Sequence, residues 1–132
     1  MTNELKRIIE TSTFEVISGN FIYTKVSTAP SIDNHFLVSK DSDEITVVTK
    51  EENLGELNIL EKNKDYWALI SLNVSAPFYS VGFLATVSNS IASQEMNVLI
   101  VSTYSKDYIL VKTDLVGKAK DALLNLGFQE KK

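Results

Sequence analysis

The residue types that carry most catalysis are thinly represented in this chain. Its 132 residues include one histidine and no cysteine. His35 stands beside Asp33 and Asn34, and a lone imidazole without a second nitrogen or sulfur ligand makes a poor metal site. Packing in a loop or at the surface is the stronger reading of it. Nucleophilic catalysis needs an attacking group with a base in reach, and the chain offers no Ser-His-Asp order and no histidine cluster. Its 5 glycines follow neither a phosphate-binding loop nor a dinucleotide-binding spacing. Catalysis is therefore not expected and no cofactor is implied; the chemistry that remains is binding.

Charge narrows the partners. The formal net charge is -4, with lysines and arginines scattered instead of forming a stripe, so the counterion release that drives phosphate-backbone binding is missing. Nucleic acid is not expected as a partner on that ground. The absence of cysteine removes disulfides and thiolate metal sites and suits a reducing compartment. Met1 to Arg7 lack the apolar core of a signal peptide, and no run approaches the roughly 18 residues of a membrane span. A cytoplasmic protein with no membrane partner is expected. At 44% hydrophobic residues the chain can bury one good core, or two very small domains sharing one.

The most legible run is Trp67 to Lys112. Trp67 to Val74 is aromatic, β-branched and aliphatic, and Ser75-Ala76-Pro77 breaks it, which reads as a strand entering a loop. From Ser80 onward, Val81, Leu84, Ala85, Ser88, Ile91 and Ala92 recur at three- and four-residue spacings and predict a helix with that stripe buried. Val98 to Thr103 and Asp107 to Lys112 predict an antiparallel hairpin.

Upstream, Thr2 can cap a short helix on which Leu5, Ile8 and Ile9 share a face, with a frayed terminus as the competing reading. Phe14 to Ile17 and Phe21 to Val26, split by Ser18-Gly19-Asn20, read as two strands joined by a turn or one strand with a bulge. Ala29 to Asn34 predicts a loop with at most one helical turn. Phe36 to Lys40 and Glu44 to Lys50 alternate around Asp41-Ser42-Asp43 and suit a second hairpin. Glu51 to Lys64 reads as a short helix followed by a strand, or as an irregular arm. At the far end, Asp114 can cap a helix with Leu115, Ala119, Ala122, Leu123 and Leu126 on one face and Gly127 as its stop. Phe128 to Lys132 are too few and too charged to supply a core strand.

Gly82-Phe83-Leu84-Ala85, the helix through Ile91-Ala92, and above all Ile100-Val101-Ser102-Thr103-Tyr104 followed by Asp107-Tyr108-Ile109-Leu110-Val111 resemble the second half of small bacterial tandem ACT-domain proteins. Phe21 to Val26, Ala29-Pro30, Phe36-Leu37-Val38, Glu44 to Val48 and Trp67 fall where that family has comparable residues, so the resemblance covers nearly the whole chain. It implies an α+β fold of two ferredoxin-like, βαββαβ-type units side by side, with antiparallel sheets, helices on one face and a first unit degenerate in its helices. The units would be residues 1–64 and 65–132. Because the second lacks a final strand of its own, residues 14–17 are expected to complete its sheet. The chain departs from the family in having Val74-Ser75 where Gly-Pro usually precedes the helix, and Glu95 where a glycine usually follows it.

The family binds a small ligand, usually an amino acid, at the interface of ACT units; the cytosolic arginine sensors of animals are similar in this. Carried onto this chain, the resemblance implies a ligand site of Pro77, Phe78, Ser80, Val81 and Gly82 in the loop with Thr103, Tyr104 and Asp107 at the hairpin end. N–H groups at the helix start could hold an α-carboxylate, and Asp107 could accept from an α-amino group or a cationic side chain. Against this, Asp107 could bond backbone N–H groups of its own turn, and Phe83 reads better as core. The expected function is a non-catalytic regulatory module that binds an amino acid or similar metabolite, as a homodimer. The alternative is a dimerising interaction domain that has lost its ligand.

Overall fold

In the computed structural model, which describes residues 1–74 and 80–131, the chain starts as its cap dictates. Thr2 Oγ1 accepts the Leu5 N–H at 3.1 Å, and α1 (Asn3–Glu10) buries Leu5 and Ile9. The alternatives for the next segment resolve into one strand, β1 (Thr13–Val26). Gly19 carries it at φ 118, where a Cβ would stand 3.0 Å from the Lys50 side chain. The chain divides into two compact units, Met1–Ser18 with Ala68–Lys132, and Gly19–Trp67.

Within Gly19–Trp67, β2 (His35–Lys40), β3 (Ile45–Lys50) and β4 (Ile59–Lys62) join the later part of β1. β3 runs antiparallel to β1 from Phe21 opposite Lys50 to Val26 opposite Ile45, and β2 is antiparallel to β3. The β2–β3 turn is held by Asp41, whose carboxylate accepts the Asp43 N–H at 2.8 Å and the Glu44 N–H at 3.0 Å. Those bonds, Asp43 first, hold its carboxyl below the ordinary value, so their support is present above the usual carboxyl range and is lost as pH falls through the folded value. Glu51–Glu56 form a 3-10 turn, and this unit contains no α-helix.

The other unit follows a β-α-β-β-α-β order: β5 (Trp67–Asn73), α2 (Phe83–Ala92), β6 (Leu99–Ser102), β7 (Asp107–Lys112), α3 (Val116–Leu126) and β8 (Gln129–Glu130). Its strands lie in the order β1, β5, β7, β6. The α+β class is the one the family resemblance implies, and the antiparallel hairpins are those the strand pattern predicts. One core joins Ala68, Ile70, Leu72 and Val74 of the β5 stretch and Ile109 and Val111 of β7 to Leu5 and Ile9 of α1, Phe83, Val87 and Ile91 of α2, and Ala119, Ala122 and Leu123 of α3. Alternate residues of the strands thus supply the face on which all three helices bury their apolar sides.

Three expectations are corrected. In α2 the inward residues are Phe83, Val87 and Ile91, whereas Ala85 and Ala92 are exposed and Val81, 92% exposed, precedes the helix. Burying a phenyl ring removes far more apolar area from water than burying an alanine, so Phe83 sets the rotation of the helix. Asp114 does not cap α3; Thr113–Leu115 form a 3-10 turn, and the helix starts after Leu115 with no side-chain cap. Gly127 does end it, at φ 119. Finally, Gln129–Glu130 do form a strand, parallel to β1 with Thr13 opposite Gln129 and Phe14 opposite Glu130. Phe128 is 2% exposed, edge-on to Phe14 and Phe83 with ring centroids 6.5 and 5.8 Å away.

Glu95 adopts φ 60, the left-handed conformation that favours glycine, as the chain leaves α2. Replacing it with glycine is expected to raise the stability measured by urea unfolding by about 1 kcal/mol. Phe128→Ala should lower it by about 3–5 kcal/mol in the same measurement, since the aromatic cluster would be left with a cavity.

Candidate functional site

The start of α2 and the turn end of the β6–β7 hairpin come together around a cleft of about 330 Å³, lined by Ser80, Gly82, Phe83, Leu84, Ala85, Ser102, Thr103 and Asp107. Each side is built by local sequence. Gly82 takes φ 82 and turns the chain into the helix, its carbonyl accepting the Thr86 N–H at 2.9 Å. The Phe83 N–H is used by Ser80 O at 3.1 Å. Gly82 has no side chain to cap the following donors, the N–H groups of Leu84 and Ala85, and both residues line the cleft.

The opposite side is fixed by hairpin register. Ser102 faces Asp107 as the last pair of the β6–β7 ladder, and Ser102 Oγ donates to Asp107 Oδ1 at 2.6 Å. The turn beyond is closed by the Thr103 N–H and Oγ1, which reach Lys106 O at 2.8 and 3.1 Å. Asp107 is 5% exposed. A carboxylate has about four acceptor positions, so a hydroxyl leaves most of its capacity for a donor entering the cleft. Removing a charge from water is costly unless it is paired, and a cation at this point would repay that cost.

Of the residues proposed for ligand contact, Ser80, Gly82, Thr103 and Asp107 share this cleft. Val81 instead lines a smaller depression of about 160 Å³ with Thr2, Glu4, Leu5, Ile8 and Ser80. Tyr104 is 82% exposed in the turn. Pro77 and Phe78, with the rest of Ser75 to Tyr79, lie outside the described residues. Ser102, Leu84 and Ala85 also line the cleft although the sequence reading did not place them in the ligand site; the hairpin register was the signal for Ser102, since it places that residue opposite Asp107. Glu95 does not line it.

Among the described residues no cluster of His, Asp and Glu could hold a metal ion, and no helix is long and apolar enough to cross a membrane.

Residues 63–125 match the family model of the ACT domain. No curated protein matches the chain. Among solved structures, the chain is similar to a Vibrio cholerae protein described as of unknown function and a possible transport protein, at 20% identity and a TM-score of 0.79, over 94% of this chain and 96% of that one. A protein from Agrobacterium tumefaciens follows at 16% identity and 0.70, over 91% and 92%. The ligand-free regulatory subunit of aspartate kinase from Thermus thermophilus is similar at 10% identity and 0.61, over 87% and 95%. At these identities the likeness is one of fold.

Ser102→Ala leaves the buried Asp107 carboxylate without its hydroxyl donor. It should cost about 1–3 kcal/mol in chemical denaturation at neutral pH, and Ser102→Thr should recover most of that.

Proposed function

We propose that the segment matched by the ACT domain is the ligand-binding part of a regulatory module, and that its ligand is an amino acid or a similar small amine-bearing metabolite. The observation that carries this reading is the pairing of opposite demands across one cleft: the Asp107 carboxylate on one side and, on the other, the N-terminus of α2, whose N-cap Gly82 supplies no side-chain acceptor. An ammonium group suits the first and a carboxylate the second, which are the two charges of a free amino acid. Among the described residues no lysine or arginine lines the cleft, so a ligand whose side chain is neutral or cationic fits it better than a dicarboxylic one.

The reading retains two ACT-like units, residues 1–64 and 65–132, with the site in the second and residues 14–17 completing its sheet. Occupancy would be reported by a change in shape or assembly. The module is non-catalytic and acts in the cytoplasm. A second reading, a dimerising domain that has lost its ligand, is favoured by the place of β6 at the end of its strand order, with Ile100 39% exposed on it. Such an edge offers unpaired backbone groups to a second copy.

Thermal unfolding against the full set of amino acids separates the two readings. A true ligand at a hundred times its dissociation constant adds about 2.7 kcal/mol. Asp107→Asn, which keeps the volume and removes the charge, should then weaken binding by about tenfold or more in calorimetry without lowering the unfolding midpoint of the free protein. No shift with any amino acid, together with concentration-dependent dimerisation, would support the second reading instead.

A further inference from the structure

The single histidine takes no part in the cleft, yet its side chain is 1% exposed and both ring nitrogens face polar groups. His35 Nδ1 lies 2.8 Å from Thr49 Oγ1, and Nε2 lies 3.6 Å from Glu56 Oε1. Thr49 Oγ1 donates to Asn34 O at 3.3 Å, so toward the imidazole it accepts. In the neutral ring this assigns the proton to Nδ1 and leaves the Nε2 lone pair facing a carboxylate. Two acceptors then oppose each other, and a proton on Nε2 replaces that repulsion with an ion pair.

The surroundings make this contact a junction. Asn34 Nδ2 donates to both Glu56 oxygens, at 3.2 and 3.1 Å, and Asn53 Nδ2 donates to Asn34 O at 3.1 Å. Glu56 and Asn53 belong to the 3-10 turn, Thr49 to β3, and Asn34 immediately precedes β2. Glu56 is the charged group facing the ring; Thr49, Asn34 and Asn53 are neutral.

We propose that His35 is a proton-operated latch: protonated, it adds an ion pair that fastens the Glu51–Glu56 turn to the start of β2 through Glu56, and deprotonated it leaves that turn held by the Asn34 and Asn53 bonds alone, so that it opens more often. Histidine side chains in general change charge between about pH 5 and 8, which sets the window in which the latch is tested.

The Leu57 N–H, bonded to Leu54 O at 3.1 Å, closes the turn and serves as the reporter. In the isotopically labelled full chain, its hydrogen exchange, corrected for the intrinsic effect of pH, is expected to be about fivefold slower on the acid side of this window. The midpoint should coincide with that of the His35 ring protons read by NMR. Glu56→Gln, at a side chain 45% exposed, should abolish the Leu57 step while the ring still titrates. A wild-type chain with no such step, or a step that Glu56→Gln leaves unchanged, overturns the proposal.

Discussion

The structure of the unit that holds the cleft depends on one apolar surface, the face of β5 and β7 that carries Ala68, Ile70, Leu72, Ile109 and Val111. Every helix of that unit is oriented by burying its own stripe against this surface, and hydrophobic burial of this extent outweighs the weaker local preferences of each helix. The geometry of the cleft is a by-product of that packing. Phe83 is inserted into the core, so the N-terminus of α2 is anchored at the residue that follows Gly82. β7 is held through Ile109 and Val111, so Asp107, at its first position, is presented at the end of the same layer.

This division between core and margin explains what the sequence disclosed. The hairpins were legible because strand runs of β-branched and aliphatic residues flank short polar turns, and α3 was legible because its apolar spacing runs unbroken into Gly127. The face of α2 was misplaced because small residues at Ala85 and Ala92 fit the helical period as well as the true inward set does. Periodicity does not weigh side-chain size, and packing does. The short strand at Gln129–Glu130 was missed because its stability comes from β1 and from the burial of Phe128, contacts remote in sequence.

The candidate site was legible in part for the same reason. Ser80, Gly82, Thr103 and Asp107 share one cleft, whereas Val81 and Tyr104 have sequence neighbours in it but direct their surface to solvent. Proximity along the chain located the region; only the hairpin register identified Ser102 as the partner of Asp107. The environment of His35 was hidden altogether, because its contacts at Thr49 and Glu56 are separated from it by 14 residues and more.

The position of the Ser102–Asp107 pair at the tip of its ladder has a kinetic side. Terminal pairs of a ladder open more often than central ones, without the rest of the sheet unfolding. Each opening separates the hydroxyl from the carboxylate and dismantles one wall of the cleft while the core stays intact. The shape of that wall is therefore governed by fraying of a few residues, and it can vary independently of the unit's global stability.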